Sequence, residues 1–180
     1  MTQGMELSLA IYVSVVVAIL GWTFVYHNSR FLARQSEANT AAAAIEKMLQ
    51  EIADECQSFW GGDTSKAGPL EAQVFSSYVE YRCNFVERKI LLIDGKCRDL
   101  LKWMPDETFL SSAVDSIGLL RDTATMDAEE CAVMEESDRV RKILQVNSCA
   151  LLLFLSVSEY ISVRYKTFLD STYEMGSKRN

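Results

Sequence analysis

The chain has 180 residues, 49% of them apolar and 24% charged, with a net charge of −7. That balance excludes a disordered chain, a disulfide-stapled mini-protein and a polytopic carrier, and the length suits one domain. The acidic excess argues against nucleic acid as a partner, because binding phosphates needs the opposite sign.

The mean hydropathy, +0.02, hides two unlike parts. Leu7–Tyr26 is a run of 20 residues without a charge, 16 of them apolar. A hydrocarbon core about 30 Å thick needs roughly 20 helical residues, so the run reads as a membrane span. A cleaved secretory signal fits less well. No basic residue precedes the run, and His27-Asn28-Ser29-Arg30 follows it in place of a small-residue cleavage site. Cations flank only the C-terminal side, at Arg30 and Arg34. Positive charge stays inside, which predicts a single pass through the inner (plasma) membrane with the N-terminus outside. Trp22 and Tyr26 then sit at the inner interface, next to lipid headgroups within reach of Arg30 and Arg34. Ala10, Ser14, Ala18 and Gly21 form a small-residue stripe along the span, a face on which two such helices pack closely.

Residues 1–27 are thus the expected anchor, 28–175 a cytoplasmic all-helical domain and 176–180 a frayed tail. No Pro or Gly occurs between Asn28 and Trp60, and Ala41–Ala44 favour helix. Ile45, Met48, Leu49, Ile52, Cys56, Phe59 and Trp60 recur at helical spacing. This first cytoplasmic helix is expected to continue from the span or restart just after it, and Gly61-Gly62 stops it.

Pro69 suits the first position of a second helix, with Leu70, Val74, Tyr78, Tyr81 and Phe85 as its expected buried face. A strand over 90–93 is the alternative at its end, and Asp94-Gly95 signals a turn. A short helical piece is expected over Arg98–Met104. Pro105-Asp106 then opens a third helix, capped by Asp106, with Phe109, Leu110, Ala113, Val114, Ile117 and Leu120 inward.

The last helix is expected to begin near Thr125 or Asp127 and run to about residue 173, with or without a kink at Asn147-Ser148. Val140, Ile143, Leu144, Asn147, Leu151, Phe154, Ser158, Ile161, Tyr165 and Phe168 mark its expected inner face. Ile143–Ser158 carries no charge for 16 residues. A second span is the alternative, but the run is short for one and a buried central helix fits better. The fold expected is all-α: a single N-terminal transmembrane helix continuing into a cytoplasmic antiparallel bundle with two long helices.

The five cysteines are widely separated, without C-x-x-C, and read as small buried hydrophobes in a reducing compartment. The single histidine, His27, stands at the membrane boundary rather than in a cleft. No zinc spacing, phosphate loop or dinucleotide fingerprint occurs. No catalytic residue, metal or cofactor is expected. Asp127, Glu129, Glu130, Glu135, Glu136 and Asp138 read as a solvated face, with a docking surface for a basic partner as the alternative and Glu135–Arg139 and Asp138–Lys142 as i, i+4 pairs. The basic clusters after them leave room for a small anionic ligand. Trp60 and Trp103 stand at helix ends beside glycine or proline. They read as core-edge residues or as anchors for a partner.

The expected function is non-enzymatic: a single-pass protein whose helical domain self-associates as a homo-oligomer or docks a cytoplasmic protein. The alternative is a small oligomeric membrane effector, pore-forming or membrane-perturbing, as in a bacterial defence system, with the helical domain as sensor.

Overall fold

The computed structural model describes residues 2–62, 68–97 and 107–165, with side chains from residue 11 onward. Every regular element among them is helical: α1 (Thr2–Gly61), α2 (Pro69–Cys97), α3 (Glu107–Thr125), a 3-10 turn (Ala128–Glu130) and α4 (Glu136–Arg164). Contacts divide the chain into two units, Met1–Ser36 and Glu37–Asn180. In the first unit the described side chains of α1 are exposed, with only Arg34 and Gln35 partly covered.

The second unit is built around one continuous apolar core. From α1 it takes Ala38, Ala41, Ile45, Leu49, Ile52, Cys56 and Trp60. These lie three or four residues apart, one stripe of a 3.6-residue helix, as the sequence pattern requires. Ion pairs join Glu37 to Lys96 and Glu51 to Arg82, and the rings of Phe59 and Phe75 stack. Residue numbers rise along α1 as they fall along α2, so the two run antiparallel. Phe109 of α3 stacks on Tyr160 of α4, while Met126, just past α3, accepts a hydrogen bond from Lys142. That pair of contacts makes α3 and α4 antiparallel as well. α2 and α3 pack together, and the end of α3 lies beside the first turns of α2.

Helix ends follow local chemistry. α1 stops at Gly61, and a bend follows at Gly62. A Cβ there would stand 2.5 Å from the Ser58 carbonyl oxygen, so only glycine fits. α2 begins at Pro69, which has no N–H to leave unbonded, and the Ala72 N–H closes onto the Gly68 carbonyl at 3.1 Å.

Several expectations need correction. α2 is helical over 90–93, as expected in preference to a strand, but it does not turn at Asp94-Gly95: it stays helical to Cys97, with Asp94 wholly buried and accepting the Tyr160 hydroxyl at 2.9 Å. The buried face of α2 is Ala72, Phe75, Val79, Cys83, Val86, Ile90 and Ile93, and the stripe through Leu70, Val74 and Tyr81 faces out. α4 starts at Glu136, since Asp127 takes a left-handed φ of 63° and the chain makes a 3-10 turn first. It runs without a break at Asn147-Ser148 and equals α2 in length, 29 residues each. Its buried face is Val146, Ala150, Leu153, Val157 and Ile161. α3 follows its pattern apart from Val114, which is exposed. The Arg98–Met104 piece, the Asp106 cap and the tail 176–180 lie outside the described residues.

Candidate functional site

The first unit is a helix whose apolar side chains all face outward. Ile11, Val13, Val15, Val16, Val17, Ile19, Leu20 and Val25 are each more than half exposed. In water, apolar surface on that scale is unfavourable at about 25 cal/mol per Å², which is what makes this helix a candidate span. It is long and apolar enough to cross a membrane, and none of its most apolar window is buried. The Thr23 hydroxyl is satisfied within the helix, since its Oγ1 donates to the Ile19 carbonyl at 2.8 Å. A helix that closes its own polar groups is what a hydrocarbon phase tolerates.

The apolar stretch ends in an aromatic and cationic ladder at four-residue spacing. The Trp22 and Tyr26 rings stack at 6.1 Å, and the Tyr26 ring meets His27 edge-on at 5.8 Å. The Arg30 guanidinium lies 5.7 Å over the Tyr26 ring and donates to its hydroxyl at 3.4 Å. This order, apolar then amphipathic ring then cation, matches a bilayer's progression from tails to headgroups. Ser14, Ala18 and Gly21 are exposed on the same helix, and a Cβ on Gly21 would meet nothing within 4 Å. The Ala10 side chain lies outside the described residues.

In the second unit two polar clusters pin the helix ends. At one, Trp60 is fully buried, so its indole fills the core. Its Nε1–H donates to the Ala124 carbonyl at 3.2 Å, and the Lys142 ammonium lies 5.0 Å over its ring. Arg139 donates to the Trp60 carbonyl at 3.3 Å, and Lys142 to Asp127 at 2.9 Å. These contacts replace the local pairing expected of both cations, while Asp138 pairs with Arg141 at 2.8 Å. At the other end, Asp94 takes the Tyr160 hydroxyl and the Tyr165 hydroxyl donates to the Lys96 carbonyl at 3.0 Å. Burial and the Asp94 carboxylate both push the Tyr160 phenol above its ordinary value. Trp103 lies outside the described residues.

A groove of about 560 Å³ opens between the start of α2 and the 3-10 turn, where Gln73, Ser77 and Glu80 face Asp127, Glu129 and Glu130. The cysteines Cys56, Cys83, Cys97 and Cys131 are buried and unpaired, and Cys149 is half-buried. Burial, with Cys83 and Glu55 adding to it, pushes the Cys56 thiol up to about 12. Desolvation raises Cys83 and Cys97 to about 11. Thiols held this far from ionisation are poor nucleophiles.

The surface that sequence reasoning missed is on α4. Leu144, Leu151, Leu152 and Leu155 are all more than half exposed, and Val140 is nearly so. The signal was present: of two apolar stripes in α4, the one assigned inward contained Asn147 and Ser158, whereas Val146–Ala150–Leu153–Val157–Ile161 is free of polar residues. No family model, curated protein or solved structure matches this chain.

Proposed function

We propose that this chain is a membrane-anchored, non-enzymatic interaction protein. The span is Leu7–Tyr26, and the helical domain of residues 28–175, whose described part packs α1 from Glu37 onward with α2, α3 and α4, lies on the cytoplasmic side of the inner membrane. That domain self-associates or docks a cytoplasmic partner. The observation that carries the reading is the outward apolar surface of α1 from Ile11 to Val25, closed by the Trp22–Tyr26–Arg30 ladder. Arg30 and Arg34 favour a cytoplasmic placement of the helical bundle.

The test is in three parts. The full chain should resist alkaline carbonate extraction from membranes; release with the soluble proteins would remove the anchor. A cysteine at the exposed position of Asp54, on a Cys149→Ser background, should react with an impermeant maleimide only after permeabilisation. Labelling in intact cells would reverse the orientation. The native Cys97 is buried and unsuited to that purpose. Mass measurement in detergent should give an oligomer, and leucine at positions 10, 14, 18 and 21 should weaken it if the small stripe contributes.

A second reading rests on α4, which also has the length and composition to cross a membrane and buries only 28% of its most apolar window. Two spans per chain would suit a pore-forming or membrane-perturbing effector. Dye leakage from vesicles carrying the purified protein supports that reading; sealed vesicles with a cytoplasmic α4 reject it.

A further inference from the structure

The helices of the second unit differ in what they turn outward. α1 presents Glu46, Lys47, Asp54 and Glu55; α3 presents Glu107, Asp115, Arg121 and Asp122. α2 exposes apolar residues too, but its outward stripe is crossed by Arg88 and edged by Glu71 and Glu80. Among the described helices of this unit α4 alone has no charge for 16 residues, from Ile143 to Ser158, and its outer face in that run sets Leu144, Leu151, Leu152 and Leu155 among the uncharged Gln145, Asn147 and Ser148. Exposed charges keep proteins apart, and a leucine face without them is a surface for association.

We propose that this face is the contact between two copies of the chain, with α4 packed antiparallel against α4 of the partner. The inference rests on the self-association reading and names its interface. Leu144, Ser148, Leu151 and Leu155 recur at spacings of four, three and four, the seam of a two-helix coiled coil. In an antiparallel pair, facing residue numbers have a constant sum. Setting Leu144 against the partner's Leu155 brings Ser148 against the partner's Leu151, and the seam closes on itself about a twofold axis. The same register brings exposed Arg141 beside the partner's Glu159, also exposed. A parallel pair would instead set Arg141 against Arg141 and Glu159 against Glu159. Charge therefore selects the antiparallel arrangement. The area is adequate: at roughly 100 Å² of exposed surface each, the five apolar residues of two copies cover about 1,000 Å², where specific interfaces begin.

The test uses the full-length protein in detergent micelles and in vesicles, with mass measurement and disulfide trapping on a Cys149→Ser background. Co-expressed Leu144→Cys and Leu155→Cys chains should form a mixed disulfide dimer on oxidation. Leu144→Cys alone should not, because its two copies stand 11 residues out of register, about 16 Å along the helix and beyond disulfide reach. Leu151→Gln with Leu155→Gln changes only exposed positions and should weaken dimerisation about tenfold or more. Arg141→Glu should weaken it too, and adding Glu159→Arg should restore it.

A wild-type monomer would remove this interface and the self-association reading together. An oligomer that survives the double glutamine change would keep that reading and overturn this interface. Homotypic trapping of Leu144→Cys would overturn the antiparallel register. Labelling of the leucine face by a lipid-phase carbene probe, with no dimer, would assign the face to the bilayer instead.

Discussion

Trp60→Phe tests whether one side chain locks the ends of three helices. The substitution removes the indole N–H from the Ala124 carbonyl and leaves a buried acceptor, at a cost of about 1–3 kcal/mol. It shrinks the aromatic face beneath the Lys142 ammonium, where a partly desolvated cation gains about 0.5–2 kcal/mol. The smaller ring also leaves unfilled space at a site with no exposure, worth about 1 kcal/mol. Some of these effects overlap, and the expected loss is about 2–4 kcal/mol. Urea unfolding of the full chain in mild detergent, followed by circular dichroism, measures it. Lys142→Met completes a double-mutant cycle. Lys142 keeps its own bonds to Met126 and Asp127, so the cycle isolates its share of the Trp60 contact. The coupling should be about 0.5–2 kcal/mol. A loss below about 1 kcal/mol, or changes at 60 and 142 that simply add, would refute Trp60 as a lock.

Two further predictions concern the cysteines and the close of α1. Thiol reagents should modify half-buried Cys149 first and reach Cys56 and Cys83 only when the domain opens; equal rates would mean the core is loose. Cys56, Cys83 and Cys97 all have raised values, so the folded chain holds them neutral after the unfolded chain has begun to ionise. Their contribution is therefore full below the ordinary value of 9.0 and is lost as pH rises from there towards about 12. A urea midpoint that stays flat across that range would contradict the burial. Gly62→Ala should destabilise by about 1–2 kcal/mol, because its methyl group meets the Ser58 carbonyl. Gly61→Ala is the control: its Cβ would stand an ordinary 3.7 Å from Ile143, so it should be neutral or slightly stabilising. Equal effects at the two glycines would remove the steric account of the helix end.

Much of the fold was legible because one element after another offered a single apolar stripe. From Ala38 to Trp60 only one face of α1 is apolar, and that face is buried. Gly61-Gly62 and Pro69 marked real boundaries for the same reason: each acts through its own backbone. The failures share a different cause. α2 and α4 each carry two apolar stripes, and periodicity cannot choose between them. In α4 the buried stripe is the one without a polar interruption, and in α2 it is the one that avoids Arg88, since an inward Asn147 or Arg88 would need partners that an apolar core does not supply. Asp94 misled in the other direction. Asp-Gly is a turn signal through local bonding, but its carboxylate is taken by Tyr160, 66 positions away, and that partner keeps the helix intact. The start of α4 was hidden similarly, because Lys142 reaches back to Met126 and Asp127. The apolar run of α1 and its Trp22–Tyr26–Arg30 boundary were plain in the sequence, since composition alone defines them.

The two stripes of α4 separate what folds the domain from what remains after folding. Val146, Ala150, Leu153, Val157 and Ile161 are small or branched, and they seat α4 against its neighbours. The leucines on the opposite side contribute less to that packing, because more than half of each stays in contact with solvent within one chain. Polar residues in their place would leave the core intact and raise solubility. The outer face of α3 shows that this fold accommodates charge on an outward helix surface, with Asp115, Arg121 and Asp122 exposed there. The leucine surface on α4 is therefore the surface on which the proposed dimer rests. Its placement on a helix held at both ends, by Arg139 and Lys142 at the start and by Tyr160 and Tyr165 at the finish, makes it a rigid surface. Association through a preorganised face loses little further conformational freedom, so even a patch of modest area can bind.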